Sequence, residues 1–119
     1  ELPEHPVYVN TDKSRMEQVL DNLIVNAKRN VNPGGVLKLS LKESEDMLDF
    51  SVFNQGPPIP QENLSKIWTK FYRDKNSKYS GSGLGLAIVA QILSMQHLIY
   101  GVENQPGGVA FYFSIPTVK

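Results

Sequence analysis

Cysteine is absent from the 119 residues, which excludes disulfides and thiolate metal sites. That absence fits a reducing compartment. No run is long and apolar enough to span a bilayer, and the first residues carry no signal-peptide pattern. The chain opens on Glu1 rather than on Met, so it reads as a piece of a longer protein. Net charge is missing as well. Twelve Lys and Arg balance twelve Asp and Glu, so no overall field points to nucleic acid or to a membrane surface. There are no internal repeats and no low-complexity tracts. What is present is an ordinary globular mixture, 40% hydrophobic and long enough for one core. Residues 1–119 are expected to form a single domain.

Pro3 and Pro6 mark an extended lead-in, and Val7-Tyr8-Val9 reads as a short strand. Thr11 or Asp12 is placed to cap a helix from about Lys13 to Arg29. Its apolar face is Met16, Val19, Leu20, Leu23 and Ala27, at three- and four-residue steps. Asn32-Pro33-Gly34-Gly35 is a turn signal. Val36 to Glu43 alternates apolar and polar residues as a strand does, and Met47 to Phe53 reads as its antiparallel partner, with the turn near Ser44 to Asp46. A second long helix is expected from about Leu84 to Gln96. Two strands, roughly Leu98 to Glu103 and Val109 to Ile115, close the chain through Asn104 to Gly108. This order predicts a two-layer α/β sandwich, its sheet mixed but mostly antiparallel, with the helices on one face.

The most informative stretch is Gly81-Ser82-Gly83-Leu84-Gly85-Leu86-Ala87-Ile88-Val89. Three glycines at alternate positions precede an apolar run with helical spacing. Glycine lets the backbone approach a ligand closely, and a helix start favours phosphate through its N–H groups and dipole. No Lys-Ser/Thr follows, so the run is not a P-loop, and no opening βαβ unit supports a dinucleotide fingerprint.

Asn22, Asn26 and Arg29 share one face of the first helix, offset from its apolar stripe. Asparagine is a mediocre helix former, so two of them one turn apart ask for a reason. An Asn oxygen is suited to complete the oxygen shell of Mg²⁺ beside nucleotide phosphates. Asn54-Gln55-Gly56-Pro57-Pro58-Ile59-Pro60 ends a predicted strand, where a flat base has room against the backbone. The Asn54 amide is able to accept from an adenine amino group and donate to a ring nitrogen. Alone, this stretch reads as a proline-rich loop.

Taken in order, these elements resemble the catalytic ATP-binding domain of bacterial sensor histidine kinases. That is the kinase branch of the gyrase, heat-shock-90, histidine-kinase and mismatch-repair ATPase fold (Bergerat-type). Gln18 to Ala27 resembles the N box, Asn54 to Ile59 the first glycine box, Ile67 to Arg73 the F box and Gly81 to Val89 the second glycine box. Gly107 to Phe113 resembles the closing strand. The Trp68 form of the F box and Tyr100 to Asn104 are similar to Gram-positive envelope-sensing kinases.

The resemblance implies ATP and Mg²⁺ as cofactors and Asn26 as the metal ligand, with Asn22 beside it and Arg29 near the phosphates. Asn54, Gly56 and Ile59 would hold the base. Gly81, Ser82, Gly83, Leu84, Gly85 and Leu86 would line the triphosphate. Residues from about Pro60 to Ser80 become a mobile lid, with Arg73 the basic residue most suited to phosphate. Trp68, Phe71 and Tyr72 serve packing. The γ-phosphoryl would pass to a histidine on a separate dimerisation domain upstream, since neither His5 nor His97 fits an acceptor pattern. A response regulator follows in the same logic. The fragment would be a monomeric cytoplasmic domain, and its parent a homodimer anchored in a membrane.

Departures from the family pattern matter. Asn54 replaces Asp, Pro58 replaces Gly and Asn30 replaces an aromatic or His. Asn22 stands where hydrolysing relatives place a Glu base, which argues for phosphoryl transfer over hydrolysis. Two alternatives stay open: a non-catalytic nucleotide-responsive module, which Asn54 and Pro58 favour, and a serine kinase of the same superfamily.

Overall fold

The computed structural model describes residues 3–6, 8–69 and 85–118. Helix α1 spans Lys13–Asn30. Asp12 caps it, its side chain accepting from the Arg15 N–H at 3.1 Å, which satisfies one of the free donors of the first turn. Strands β1 (Leu37–Ser44) and β2 (Met47–Gln55) form an antiparallel hairpin around Glu45 and Asp46. Glu45 takes a left-handed φ of 53° there. Helix α2 covers Gly85–Met95. Strands β3 (Ile99–Gln105) and β4 (Gly108–Pro116) make the second hairpin. Pro106 and Gly107 turn it, with Gly107 at φ +82°, which glycine adopts without strain.

The sheet order is β1-β2-β4-β3, and every pairing among these strands is antiparallel. The expected two-layer sandwich is present. The opening strand expected over residues 7–9 is not: Val9 makes only an isolated bridge to Thr117, and Val7 lies outside the described residues. The Tyr8 carbonyl accepts from the Val118 N–H at 2.7 Å, and Pro6, just before the segment, has no N–H with which to extend that pairing. The other elements match their expected bounds within two residues.

One face of the sheet carries the core. Phe50 and Val52 of β2 and Val109, Phe111, Phe113 and Ile115 of β4 are buried there. Val19, Leu23 and Ala27 of α1 and Val89, Ile92 and Leu93 of α2 meet them from the helix layer. Full burial of such side chains contributes roughly 1.5–3 kcal/mol each. The two helices lie antiparallel. The start of α1 meets the end of α2 through the Thr11 hydroxyl, which donates to Gln96 Oε1 at 2.9 Å. The start of α2 meets the second half of α1 at Asn22.

Helix α2 ends in a paired return of the backbone. The Leu98 N–H donates to the Leu93 carbonyl at 2.9 Å and the His97 N–H to the Ser94 carbonyl at 3.0 Å. His97 takes the left-handed φ of 58° that this ending requires. It is a capping residue of α2.

Candidate nucleotide site

The site is built where the end of α1, the end of β2 and the start of α2 converge. Asn22, Asn26 and Asn30 follow one another at four-residue steps along α1, so they climb one side of the helix. Asn30 is buried, whereas Arg29 is exposed. The Asn30 amide donates to the Asn26 carbonyl at 2.6 Å and to Asn26 Oδ1 at 3.2 Å. Asn30 therefore holds the Asn26 side chain in place from one turn further along.

Asn54 is fully buried at 0% exposure, on the helix-facing side of the sheet. In register it stands between Leu37 of β1 and Val109 of β4. Among the described residues nothing bonds to Asn54 Nδ2 or Oδ1, to Asn26 Nδ2 or to Asn30 Oδ1, although all four atoms are buried. Leaving such a group unpaired costs about 1–3 kcal/mol, so native proteins rarely do it without a functional reason.

Glycine keeps this region open. A Cβ at Gly56 would come 2.9 Å from the Asn30 carbonyl oxygen and 3.6 Å from Asn54 Nδ2. A Cβ at Gly85 would lie 3.7 Å from Asn22 Oδ1, so α2 begins directly against the asparagine side of α1. Ile59 is buried beside Ile67 in the core cluster. Leu86 is half-buried and packs on that cluster. Two short 3₁₀ turns, Gln61–Asn63 and Lys66–Trp68, follow the loop.

Trp68 meets Tyr100 edge-on, centroids 5.0 Å apart, and Phe111 at 5.6 Å. It serves packing, as expected. With Ile67 at 2% exposure, the segment through Thr69 is anchored on the core, so the first ten residues of the expected lid are held. The remainder of that lid lies outside the described residues, with Lys70, Phe71, Tyr72, Arg73, Lys75 and Lys78 in it. So do Gly81, Ser82, Gly83 and Leu84.

Of the expected site residues, the structure thus brings together Asn22, Asn26, Asn54, Gly56 and Gly85. Arg29 points to solvent at their edge. Asn30 enters the group although the sequence reading treats it only as a departure. Its signal is the third position of the same four-residue spacing. No cluster of His, Cys, Asp or Glu suited to a metal occurs among the described residues. Any metal here would depend on amide oxygens and on the ligand's own. A cleft of about 760 Å³ lies at the opposite end of the helices, lined by Asp12, Arg15, Met95 and Gln96 among others. None of the four unpaired buried atoms borders it.

These features define a class: a two-layer α/β domain whose candidate site is lined by neutral amides between the helix pair and the sheet. The family model described as histidine kinase-, DNA gyrase B- and HSP90-like ATPase matches residues 11–119. The chain belongs to that ATPase family. It is 39% identical over 121 residues to the sensor histidine kinase WalK of Bacillus subtilis, covering 97% of this chain and 20% of WalK. The probable sensor kinase SilS of Salmonella typhimurium is 34% identical, covering 96% of this chain and 24% of SilS. The chain therefore spans about a quarter or less of these relatives. Such relatives come from different bacterial groups, so they do not single out a Gram-positive subgroup. Among solved structures, the nucleotide-free catalytic domain of histidine kinase ThkA superposes with a TM-score of 0.80 at 37% identity. That match covers 91% of this chain and 70% of the other. Full-length ShkA in complex with AMPPNP superposes at 0.83 with 26% identity, over 99% of this chain and 25% of ShkA. No helix among the described residues is long and apolar enough to cross a membrane.

Proposed function

We propose that this chain binds Mg·ATP and passes the γ-phosphoryl to a histidine on a separate dimerisation domain of the same kinase. The observation that carries the reading is the set of four unpaired buried amide atoms on Asn26, Asn30 and Asn54. Gly56 leaves room beside Asn30 and Asn54, and Gly85 starts α2 against Asn22, one turn before Asn26. The donor set fits the ligand. The Asn54 amide offers one donor and one acceptor, which is what the amino group and ring nitrogen of adenine require. Asn26 Oδ1 accepts only one bond, from Asn30, and keeps a second lone pair for Mg²⁺. When bound, Mg²⁺ neutralises phosphate charge and orients the transferring group.

The chain's own residues bind and orient. Asn54 selects the base, Gly56 and Ile59 shape its wall, and Asn30 fixes the rotamer of Asn26. Gly81 to Leu86, Arg73 and Arg29 supply the phosphate side. Asn22 is a neutral amide without basicity at neutral pH, so it does not activate water, and transfer is favoured over hydrolysis. The complex of ThkA with its response regulator TrrA, matched at 33% identity and TM-score 0.83, supports a response regulator as the next partner. The parent is proposed to be a membrane-anchored homodimer with this domain in the cytoplasm.

Radiolabelled ATP tests the reading. The chain alone should bind Mg·ATP without labelling itself. Mixed with its upstream histidine domain, it should label that domain at an acid-labile, base-stable phosphoramidate. Acid-stable label would favour the serine-kinase reading. Binding without any transfer would favour the non-catalytic module, for which Asn54 in place of the charged residue is the specific argument.

A further inference from the structure

The loop after β2 is held by an amide that the functional reading leaves unused. Ile59 donates its N–H to Asn104 Oδ1 at 2.8 Å, and Asn104 Nδ2 donates to the Ile59 carbonyl at 2.8 Å. The two bonds join residues 45 positions apart. They occupy both polar groups of one peptide residue from a single side chain, as a neighbouring strand would. This matters because of the loop's composition. Pro57, Pro58 and Pro60 have no N–H, so Ile59 carries the one backbone donor in residues 57–60. The prolines stiffen the segment but leave it a single point of attachment, and Asn104 takes it.

The register places this clamp beside the base side of the site. Asn54, Val109 and Asn104 form one row across β2, β4 and β3, with all three side chains on the helix-facing side of the sheet. Neighbouring strands lie about 4.8 Å apart, so Asn104 sits roughly 10 Å from Asn54 across the buried Val109. The same hairpin holds the loop at its other end, where the Gly56 N–H donates to the Gly107 carbonyl at 3.0 Å. Ile59 itself is buried at 3% exposure, so its side chain cannot move without opening the core.

We propose that Asn104 is a positioning residue for the nucleotide site: its carboxamide sets Ile59, and through it the loop wall facing Asn54. The inference rests on the functional reading above. It makes the end of β3, two strands across the sheet from Asn54, a determinant of base affinity. The loss of a net hydrogen bond corresponds to a change of about fivefold in an equilibrium. Asn104→Ala should therefore weaken ATP binding about five- to tenfold. Asn104→Asp keeps the acceptor for the Ile59 N–H but loses the donor and faces the Ile59 carbonyl with a charge. It should retain Ile59 amide protection better than Asn104→Ala while binding ATP no better.

The test joins two measurements on the same chain. Amide exchange at Ile59 in the empty protein reads the clamp, and calorimetry with Mg·ATP at 25 °C reads its consequence. Glu103→Ala, one position away and facing the other side of the sheet, is the control and should change neither. Faster exchange at Ile59 together with weaker ATP binding, in a chain that still unfolds cooperatively with a midpoint lowered by a few degrees, is the expected result. Faster exchange with unchanged affinity overturns the proposal while leaving the functional reading intact. So does unchanged exchange. A wild-type chain that binds no nucleotide overturns the functional reading itself, and the positioning role falls with it.

Discussion

Replacing Asn54 by Leu should make the empty protein more stable and the site useless. The reasoning starts from burial. Asn54 is fully enclosed, and neither atom of its amide has a partner among the described residues. A buried unpaired donor or acceptor costs about 1–3 kcal/mol, and two of them sit on this one side chain. Leu has nearly the shape of Asn and needs no partners, but it is slightly larger, and overpacking takes back part of the gain. A net increase of about 2 kcal/mol is expected, which is about 8 °C in thermal midpoint for a domain of this size. The same variant should lose the nucleotide. Wild type at a hundredfold excess of Mg·ATP over its dissociation constant should gain about 2.7 kcal/mol, and Asn54→Leu should gain nothing.

Asn54→Asp completes the series. It should keep or tighten ATP binding, because a carboxylate accepts a charge-assisted bond from the adenine amino group. It should also reject GTP more strongly than wild type, whose amide is free to rotate. Without nucleotide, burial pushes the introduced carboxyl above its ordinary range, so its folded value exceeds its unfolded value near 3.9. Stability of this variant should then be highest at acidic pH and fall as pH rises above about 4. Scanning calorimetry with and without Mg·ATP reads all of this. An Asn54→Leu protein that melts lower than wild type, or still shifts with ATP, would refute the argument that the unpaired amide is a ligand group.

Three further outcomes follow from the geometry. Asn26→Ala should remove most of the Mg²⁺-dependent part of ATP affinity, seen by calorimetry with and without the metal; equal Mg·ATP affinity would count against Asn26 as the ligand. Gly108→Ala should destabilise the domain by about 1–3 kcal/mol, because a Cβ there runs into the Asn54 carbonyl oxygen and the Phe53 ring; an unchanged denaturation midpoint would contradict that packing. His97→Gly should raise stability by about 1 kcal/mol, since His97 holds a left-handed φ of 58° that only glycine adopts freely; thermal melting checks it.

Most of the fold was legible because its signals are periodic. The helix stripe of Val19, Leu23 and Ala27 reports burial directly, whereas the alternation in Leu37 to Ser44 reports an edge strand whose residues are at most half-buried, with Leu39 exposed. Turn chemistry was legible too, in Asn32 to Gly35, where the Gly35 N–H closes on the Asn32 carbonyl at 2.7 Å. The opening strand was misread because three apolar residues satisfy a strand pattern without saying whether a partner edge is in reach. Among the described residues it meets one at the single Val9–Thr117 bridge, through the Val118 N–H and the Tyr8 carbonyl. Asn104 was invisible for a similar reason. Its partner is 45 residues away, and the loop it holds reads as unstructured proline-rich chain until the donors are counted.

The candidate site separates from the core by one physical criterion. Everywhere else on the helix-facing side of β2 and β4 the sequence places an apolar residue, and each is buried in the core or, as Leu48, packed half-buried against it. At Asn54, Asn30 and Asn26 it places amides, and burial leaves four of their atoms unpaired. Stability alone selects against that arrangement, since a leucine at position 54 would serve the core better. Periodicity therefore finds the core and, by the same rule, marks the positions where polar residues interrupt it. Asn30 shows how the two readings combine. Its spacing from Asn26 puts it on the functional side of α1, and its near-complete burial, at 2% exposure, shows that it acts inward. The bond it donates to Asn26 Oδ1 leaves that oxygen oriented but half free. An Asn30→Ala variant should then lose Mg²⁺-dependent affinity while keeping every direct contact to the nucleotide. Unchanged Mg²⁺ dependence in calorimetry would show that Asn26 needs no such support.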